Sequence, residues 1–186
     1  MLIAVPYHLG QRLESFDLGV APDVEVTAVL PATVGPWQRM SVLYEQVAEA
    51  VAQATTPPVI VSGDCTTSLG VLTGLQRTRR ELAIVWLDAH ADFDTEASTM
   101  SGYLGGLPPA LAVGLGTLTL PEALGLRPIP QSRAMLVDAG DTDPGEQELR
   151  RRGAARPGMF TCTSTSMWPI RKTSRTCFTP LRTVPP

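Results

Sequence analysis

The chain has 186 residues, 44% of them apolar and 18% charged, with a net charge of −3. That length supports one domain with a real core, and no apolar run approaches the roughly 20 residues needed to cross a bilayer, so no membrane partner is expected. Three cysteines, Cys65, Cys162 and Cys177, form no Cys-x-x-Cys pair; an odd count argues against a disulfide framework and fits a reducing cytoplasm.

Met1 to Pro6 has no basic n-region and reads as a buried first strand rather than a signal peptide. Val24 to Leu30 is β-rich and partly alternating. A helix is expected over about Gln38 to Gln53, with Val42, Leu43, Val47, Ala50 and Val51 near one face. Pro58 to Ser62 is a short apolar run closed by Gly63, and Thr66 or Thr67 can cap a helix reaching about Thr78. Leu82 to Leu87 is the strongest strand, apolar on both faces as in a central parallel strand. Thr95 to Gly116, rich in Gly and Pro, reads as a long loop with a short helix near Pro109 to Val113. Ala134 to Asp138 is a further strand and Gly145 to Arg152 a helix start. Strands alternating with helices predict an α/β fold with a mainly parallel sheet.

Functional groups of open parallel sheets collect at the carboxyl ends of strands. Two strands end in polar clusters, Ser62-Gly63-Asp64-Cys65-Thr66-Thr67 and Asp88-Ala89-His90-Ala91-Asp92-Phe93-Asp94-Thr95. In an extended chain alternate residues share a side, so Asp88, His90 and Asp92 can converge on one point. Two carboxylates and an imidazole suit a divalent ion such as Mn, Zn or Fe. The spacing alone fits a capped acidic loop equally well.

Asp88-Ala89-His90-Ala91-Asp92 after a buried strand, with Thr95 beyond it, resembles the second metal motif of the arginase, agmatinase and formimidoylglutamase family. Gly63-Asp64-Cys65 is similar to that family's first motif, Gly-Gly-Asp-His, and Ser101 to Pro108 to its Ser-Gly-Asn-x-His-Gly-x-Pro substrate loop. Gly10-Gln11 also fits, and order and spacing agree over about residues 2–148. The resemblance implies a three-layer arginase-like fold and a site for two divalent ions, usually manganese. Asp88 would bridge the ions, with His90 on one and Asp92 on the other. Asp64 would support the loop from the second shell, and Ser101 and Tyr103 would line the substrate site. The implied reaction is hydrolysis of a linear C–N bond in a small guanidine- or amidine-type molecule, by water whose pKa the ions lower.

Four departures limit that expectation. Cys65 stands where the family has His, and either ligates as a soft thiolate or is a buried, unligated residue. Gly105 stands where the loop has a proton-transferring His, and Tyr103 where it has Asn, which makes arginine itself a poor expectation as substrate. His8, the other histidine, reads as a structural or mouth residue. The family's later Asp-x-Asp strand is also missing, since no acid follows Glu148. The sheet is therefore expected to be incomplete on its carboxyl-terminal side, with an exposed edge that favours a homo-oligomer. A non-catalytic paralogue used for binding or assembly is the competing reading. A phosphoesterase with an Asp-x-His-x-Asp strand end is a third, against which the Ser-Gly-x-x-x-Gly-x-Pro loop speaks.

Residues 1–148 carry −11 and residues 149–186 carry +8. Such a break commonly marks a nucleic-acid tail, but residues 159–186 mix Thr, Ser, Cys, Arg, Pro and Trp without helix or strand logic. A shifted reading frame explains them better. Taking the third base of each codon with the first two of the next, Met167 and Trp168 fix Val then Ala. The neighbouring positions permit Leu-Asp-Leu-Asp before that pair and Asp-Pro after it, which resembles the missing family strand. The expected organisation is a truncated ureohydrolase-like domain over 1–158 and an out-of-frame tail over 159–186. No nucleic-acid partner is expected.

Overall fold

The computed structural model describes residues 1–78, 81–137, 144–154 and 160–162. Strand β1 (Leu2–Val5) is the centre of a three-stranded parallel sheet, between β4 (Val24–Glu25) and β5 (Val59–Ser62). A second parallel sheet has the order β6 (Ile84–Leu87), β7 (Ala134–Val137), β8 (Phe160–Cys162). A short antiparallel pair joins β2 (Tyr7–His8) to β3 (Gln11–Arg12). With helices α1 (Pro36–Ala52), α2 (Thr67–Thr78), α3 (Pro108–Ala112), α4 (Thr119–Leu124) and α5 (Pro144–Ala154), this is an α/β fold with mostly parallel strands. No described helix is long and apolar enough to cross a membrane.

Helix α1 begins with Pro at its first turn, where a missing N–H costs nothing. It buries Met40, Leu43, Tyr44, Val47, Ala48 and Val51, spaced three and four apart as one helical stripe requires. The expected face is corrected here: Val42 is exposed and Ala50 only partly buried, because both fall off that stripe. Helix α2 packs on α1 with two glycines at the crossing. A Cβ on Gly70 would lie 2.9 Å from Tyr44 Cβ. One on Gly74 would lie 2.8 Å from Val51 Cβ and 3.0 Å from Ala48 Cα. The helices approach so closely because neither position has a side chain.

Three expectations need correction. The β-rich run from Val24 pairs only through Val24 and Glu25, opposite Ile3 and Ala4. Val26 N–H reaches Ala4 O at 2.8 Å, but β1 then meets Pro6, which has no N–H to extend the ladder, and Val29 is 95% exposed. Strand β6 is the edge of its sheet among the described residues, burying Ile84 and Trp86 and leaving Leu87 half exposed. Helix α4 went unforeseen because its pattern is short and contains Pro121. That proline sits in the first turn, where it is tolerated, and Gly125 closes the helix at φ 69°. Within the tail, Phe160–Cys162 forms a strand beside β7, against the expectation of no strand there. The frame-shift reading and the rest of residues 159–186 lie outside the described residues.

Candidate metal centre

The carboxyl ends of β1, β5 and β6 supply the site. At the end of β5, Gly63 N–H donates to Tyr7 O at 3.1 Å. A Cβ on Gly63 would run into that same carbonyl and come within 2.9 Å of Leu13 Cδ1, so only glycine fits. Asp64 is 4% exposed. Its Oδ2 accepts from Leu9 N–H at 2.7 Å and its Oδ1 from Thr66 N–H at 2.8 Å. The Thr66 hydroxyl also donates to Oδ1, and the Tyr44 hydroxyl does so at 3.4 Å. The bonds from Leu9 and Thr66 tie loop ends to the carboxylate, and the one from Tyr44 ties it to helix α1. One of them holds Leu9 in the left-handed region at φ 47°. Asp64 therefore organises the loops, as expected of a supporting residue.

Tyr44 feels that environment. Burial pushes its phenol well above the ordinary tyrosine range, and the Asp64 charge adds to the shift. A raised folded pKa for an acid favours the neutral form. The stability it confers is complete below the unfolded value of about 10 and is lost as pH rises through the folded value. Alkaline unfolding between pH 9 and 11 should therefore be steeper in the parent than in Tyr44→Phe. Melting curves across that range check it, with a small loss at neutral pH of about 1 kcal/mol for the hydroxyl.

At the end of β6 the chain leaves the extended form at once. Asp88 Oδ1 accepts His90 N–H at 3.0 Å, and His90 Nδ1 lies 3.3 Å from the same oxygen. Asp92 is nearly buried at φ 47°, a conformation that costs a non-glycine residue energy and commonly marks a functional turn. The strand-like alternation of Asp88, His90 and Asp92 is thus replaced by a turn. The ligand atoms brought within 4.8 Å of one another are those of Cys65, Asp88 and Asp92. His90, half exposed, stands beside Asp88 outside that group.

The two carboxylates are hard donors that suit a divalent cation, and His90 beside Asp88 can add an imidazole. Cys65 is a separate matter. Its sulfur is in a disulfide, contrary to the expectation from the cysteine count, since an odd total still leaves room for one pair. A disulfide sulfur is no thiolate, so Cys65 offers a ligand only when reduced.

One supporting residue was missed in the sequence. Glu146 of α5, 6% exposed, accepts the Phe93 N–H through Oε1 at 3.0 Å. It joins residues 53 apart, and nothing in local spacing announces that. Asp94 N–H donates to Gly106 O at 3.0 Å, and Asp94 Oδ1 accepts from Ser98 Oγ at 2.7 Å. The turn is thereby fixed from both sides. Glu146→Ala would leave a buried N–H unpaired and loosen Asp92, so it should cost about 1–3 kcal/mol and weaken metal binding roughly tenfold or more. Denaturant melts and metal titration on the same variant separate the two effects.

The candidate substrate loop runs over this turn. A Cβ on Gly106 would lie 4.0 Å from Asp92 Oδ1. Ser101 is exposed, and its Oγ accepts the Tyr103 N–H at 3.2 Å. Tyr103 folds back over Gly105, so that a Cβ there would lie 2.5 Å from Tyr103 Cζ and 2.7 Å from its Oη.

The family model described as "Arginase family" matches residues 3–164. The chain is 32% identical to an arginase of Brevibacillus brevis over 112 residues, covering 58% of this chain and 38% of that protein. It is 37% identical to the N(omega)-hydroxy-L-arginine amidinohydrolase of Streptomyces lavendulae over 98 residues, covering 53% of this chain and 34% of that protein. The native structure of Bacillus caldovelox arginase superposes with a TM-score of 0.69 at 22% identity, covering 87% of this chain and 63% of that one. The matched stretch thus spans only about a third of each of these two curated relatives.

Proposed function

This chain belongs to the arginase family, and on that premise we propose that it derives from a metal-dependent hydrolase of linear C–N bonds in small guanidine- or amidine-type molecules. The observation that carries the reading is the meeting of Asp88 and Asp92 ligand atoms at the strand ends, in the turn that Glu146 and Gly106 fix. Asp88 and Asp92 would hold the cation, manganese by preference for hard donors, with His90 completing one shell. A divalent ion bound there supplies a water of lowered pKa and polarises the scissile carbon's substituents. Asp64 keeps the β5 loop in place, and the loop from Ser101 to Pro108 closes one side of the site. The expected compartment is the cytoplasm.

Two carboxylates and one imidazole fall short of two full shells, so the chain by itself should bind metal weakly and turn over little. We propose that residues 159–186 are the out-of-frame second half. Sequencing the coding DNA tests this. Codons for Thr163 to Pro169 that cannot spell Leu-Asp-Leu-Asp in the shifted frame end the idea. The frame-restored protein should then hold two ions and release urea or its analogue together with an amine.

The second reading is a paralogue without catalysis, acting in binding or assembly, with a homo-oligomer as its simplest form. Two observations favour it: Tyr103 fills the space at Gly105, and Cys65 is tied up in a disulfide. A folded, frame-restored protein with neither metal nor urea release would establish that reading.

A further inference from the structure

Cys65 brings to the carboxylate pair a donor that has two chemical states. Its sulfur and the Asp88 and Asp92 oxygens all lie within 4.8 Å of one another, yet the same sulfur is in a disulfide. Its partner is Cys162 or Cys177, the other two cysteines of the sequence. A thiolate is a strong ligand for a borderline ion, whereas a neutral disulfide sulfur is not. The histidine of the family motif at this position has no such second state.

The three donors sit on backbone that is already fixed. Cys65 O accepts the Ser68 N–H at 3.1 Å, which seats the residue at the start of α2, and only 7% of Cys65 is exposed. Asp64, one residue earlier, takes N–H groups from Leu9 and Thr66. Asp92 is held by the turn that Glu146 and Gly106 bond to. A tetrahedral zinc ion, with Zn–S of about 2.3 Å and Zn–O of about 2.1 Å, places its donors roughly 3.4–3.6 Å apart. Atoms within 4.8 Å of one another need to draw in by about 1.4 Å at most. What decides whether sulfur takes part is therefore its oxidation state.

We propose that the Cys65 disulfide is a redox lock on a thiolate–dicarboxylate zinc site. In the oxidised chain Asp88 and Asp92 face a cation without the sulfur; on reduction Cys65 joins them and the preference of the site moves to zinc. The proposal rests on the cation-site reading and not on hydrolysis. A dithiol reductant opens the lock by supplying two electrons and two protons. Its first sulfur forms a mixed disulfide, its second closes a cyclic disulfide, and Cys65 and its partner are released as thiols. Zinc then displaces the Cys65 proton to solvent. Because zinc binds the reduced form more tightly, bound zinc favours that form by the same factor. Manganese, a harder ion, gains little from the thiolate.

The test measures zinc and manganese affinity of the full chain by competition with a chelating dye, before and after reduction. A water-soluble phosphine is the reductant, since a dithiol would itself bind zinc. Cobalt stands in for zinc in a parallel titration, where a thiolate ligand adds a near-ultraviolet charge-transfer band. Reduction should tighten zinc by more than the roughly 10–100-fold that a supporting residue is worth, bring up the cobalt band, and change manganese affinity far less. Cys65→Ser should show neither the zinc gain nor the band. The double variant Cys162→Ser, Cys177→Ser should bind zinc like the reduced parent with no reductant present, and it decides the matter should Cys65→Ser not fold. Equal zinc affinity before and after reduction overturns the proposal. A gain that persists in Cys65→Ser, or that Asp92→Gly leaves undiminished, overturns it as well, because the zinc then sits elsewhere. Zinc uptake indifferent to reduction but abolished by Asp92→Gly removes the lock and leaves the cation site standing. A Cys65-dependent zinc gain, with no urea release from the frame-restored protein, upholds the lock and removes the hydrolase.

Discussion

Gly74→Ala is expected to destabilise the protein by about 2 kcal/mol. Alanine is the better helix former and on propensity alone would add roughly 1 kcal/mol. The crossing of α1 and α2 overrides that. An added Cβ lies 2.8 Å from Val51 Cβ and 3.0 Å from Ala48 Cα, and nearer still to the Ala48 carbonyl oxygen. Neither a β-carbon nor a backbone oxygen can swing aside, so the helices must part, at the upper end of the roughly 1–3 kcal/mol that overpacking costs. Gly70→Ala should cost less, since its contacts to Tyr44 begin at 2.9 Å. Urea unfolding measures both: a lower midpoint at unchanged slope is the expected form. A midpoint raised by Gly74→Ala would mean that the helices do not cross where Gly74 is.

The second large effect falls on the cation site. Asp92→Gly should abolish metal binding, a loss exceeding the roughly 10–100-fold that follows removal of a merely supporting residue. In the metal-free protein, relief of backbone strain should offset part of what loss of the buried Asp92 side chain costs. Asp92 sits at φ 47°, where glycine is at ease and aspartate is strained by about 1 kcal/mol or more. Asp88→Asn should also lose the metal, and since an amide oxygen still accepts, the His90 N–H bond should persist. Comparing the two variants separates loss of a ligand from loss of the turn.

Much of this was legible in the sequence because it is local. Apolar runs such as Leu2 to Val5 and Val59 to Ser62 fall where strands form, and the Asp64 to Thr67 and Asp88 to Asp92 segments sit at the ends of strands. Motif order carried the family. What could not be read depends on contacts far apart in sequence. The turn at Asp92, which leaves His90 beside Asp88 but outside the group formed by Cys65, Asp88 and Asp92, is held by Glu146 and Gly106. The packing of Tyr103 over Gly105 looks in sequence like two unrelated departures from a motif. The Val24 to Leu30 run has the right residues for a longer strand, yet its partner β1 stops at Pro6. Val42 and Ala50 are apolar enough for the core, but α1 is rotated by where α2 and α4 press on it.

On the proposed reading, Asp88 and Asp92 are half of a cation site in an arginase-family chain. Manganese titration followed by electron paramagnetic resonance, on the full chain and on Asp92→Gly under reducing conditions, tests it most directly. Saturable, weak uptake of fewer than two ions per chain is expected in the parent and none in the variant. Equal uptake by both, no saturable uptake by the parent, or two tightly held ions in the chain as it stands would contradict it.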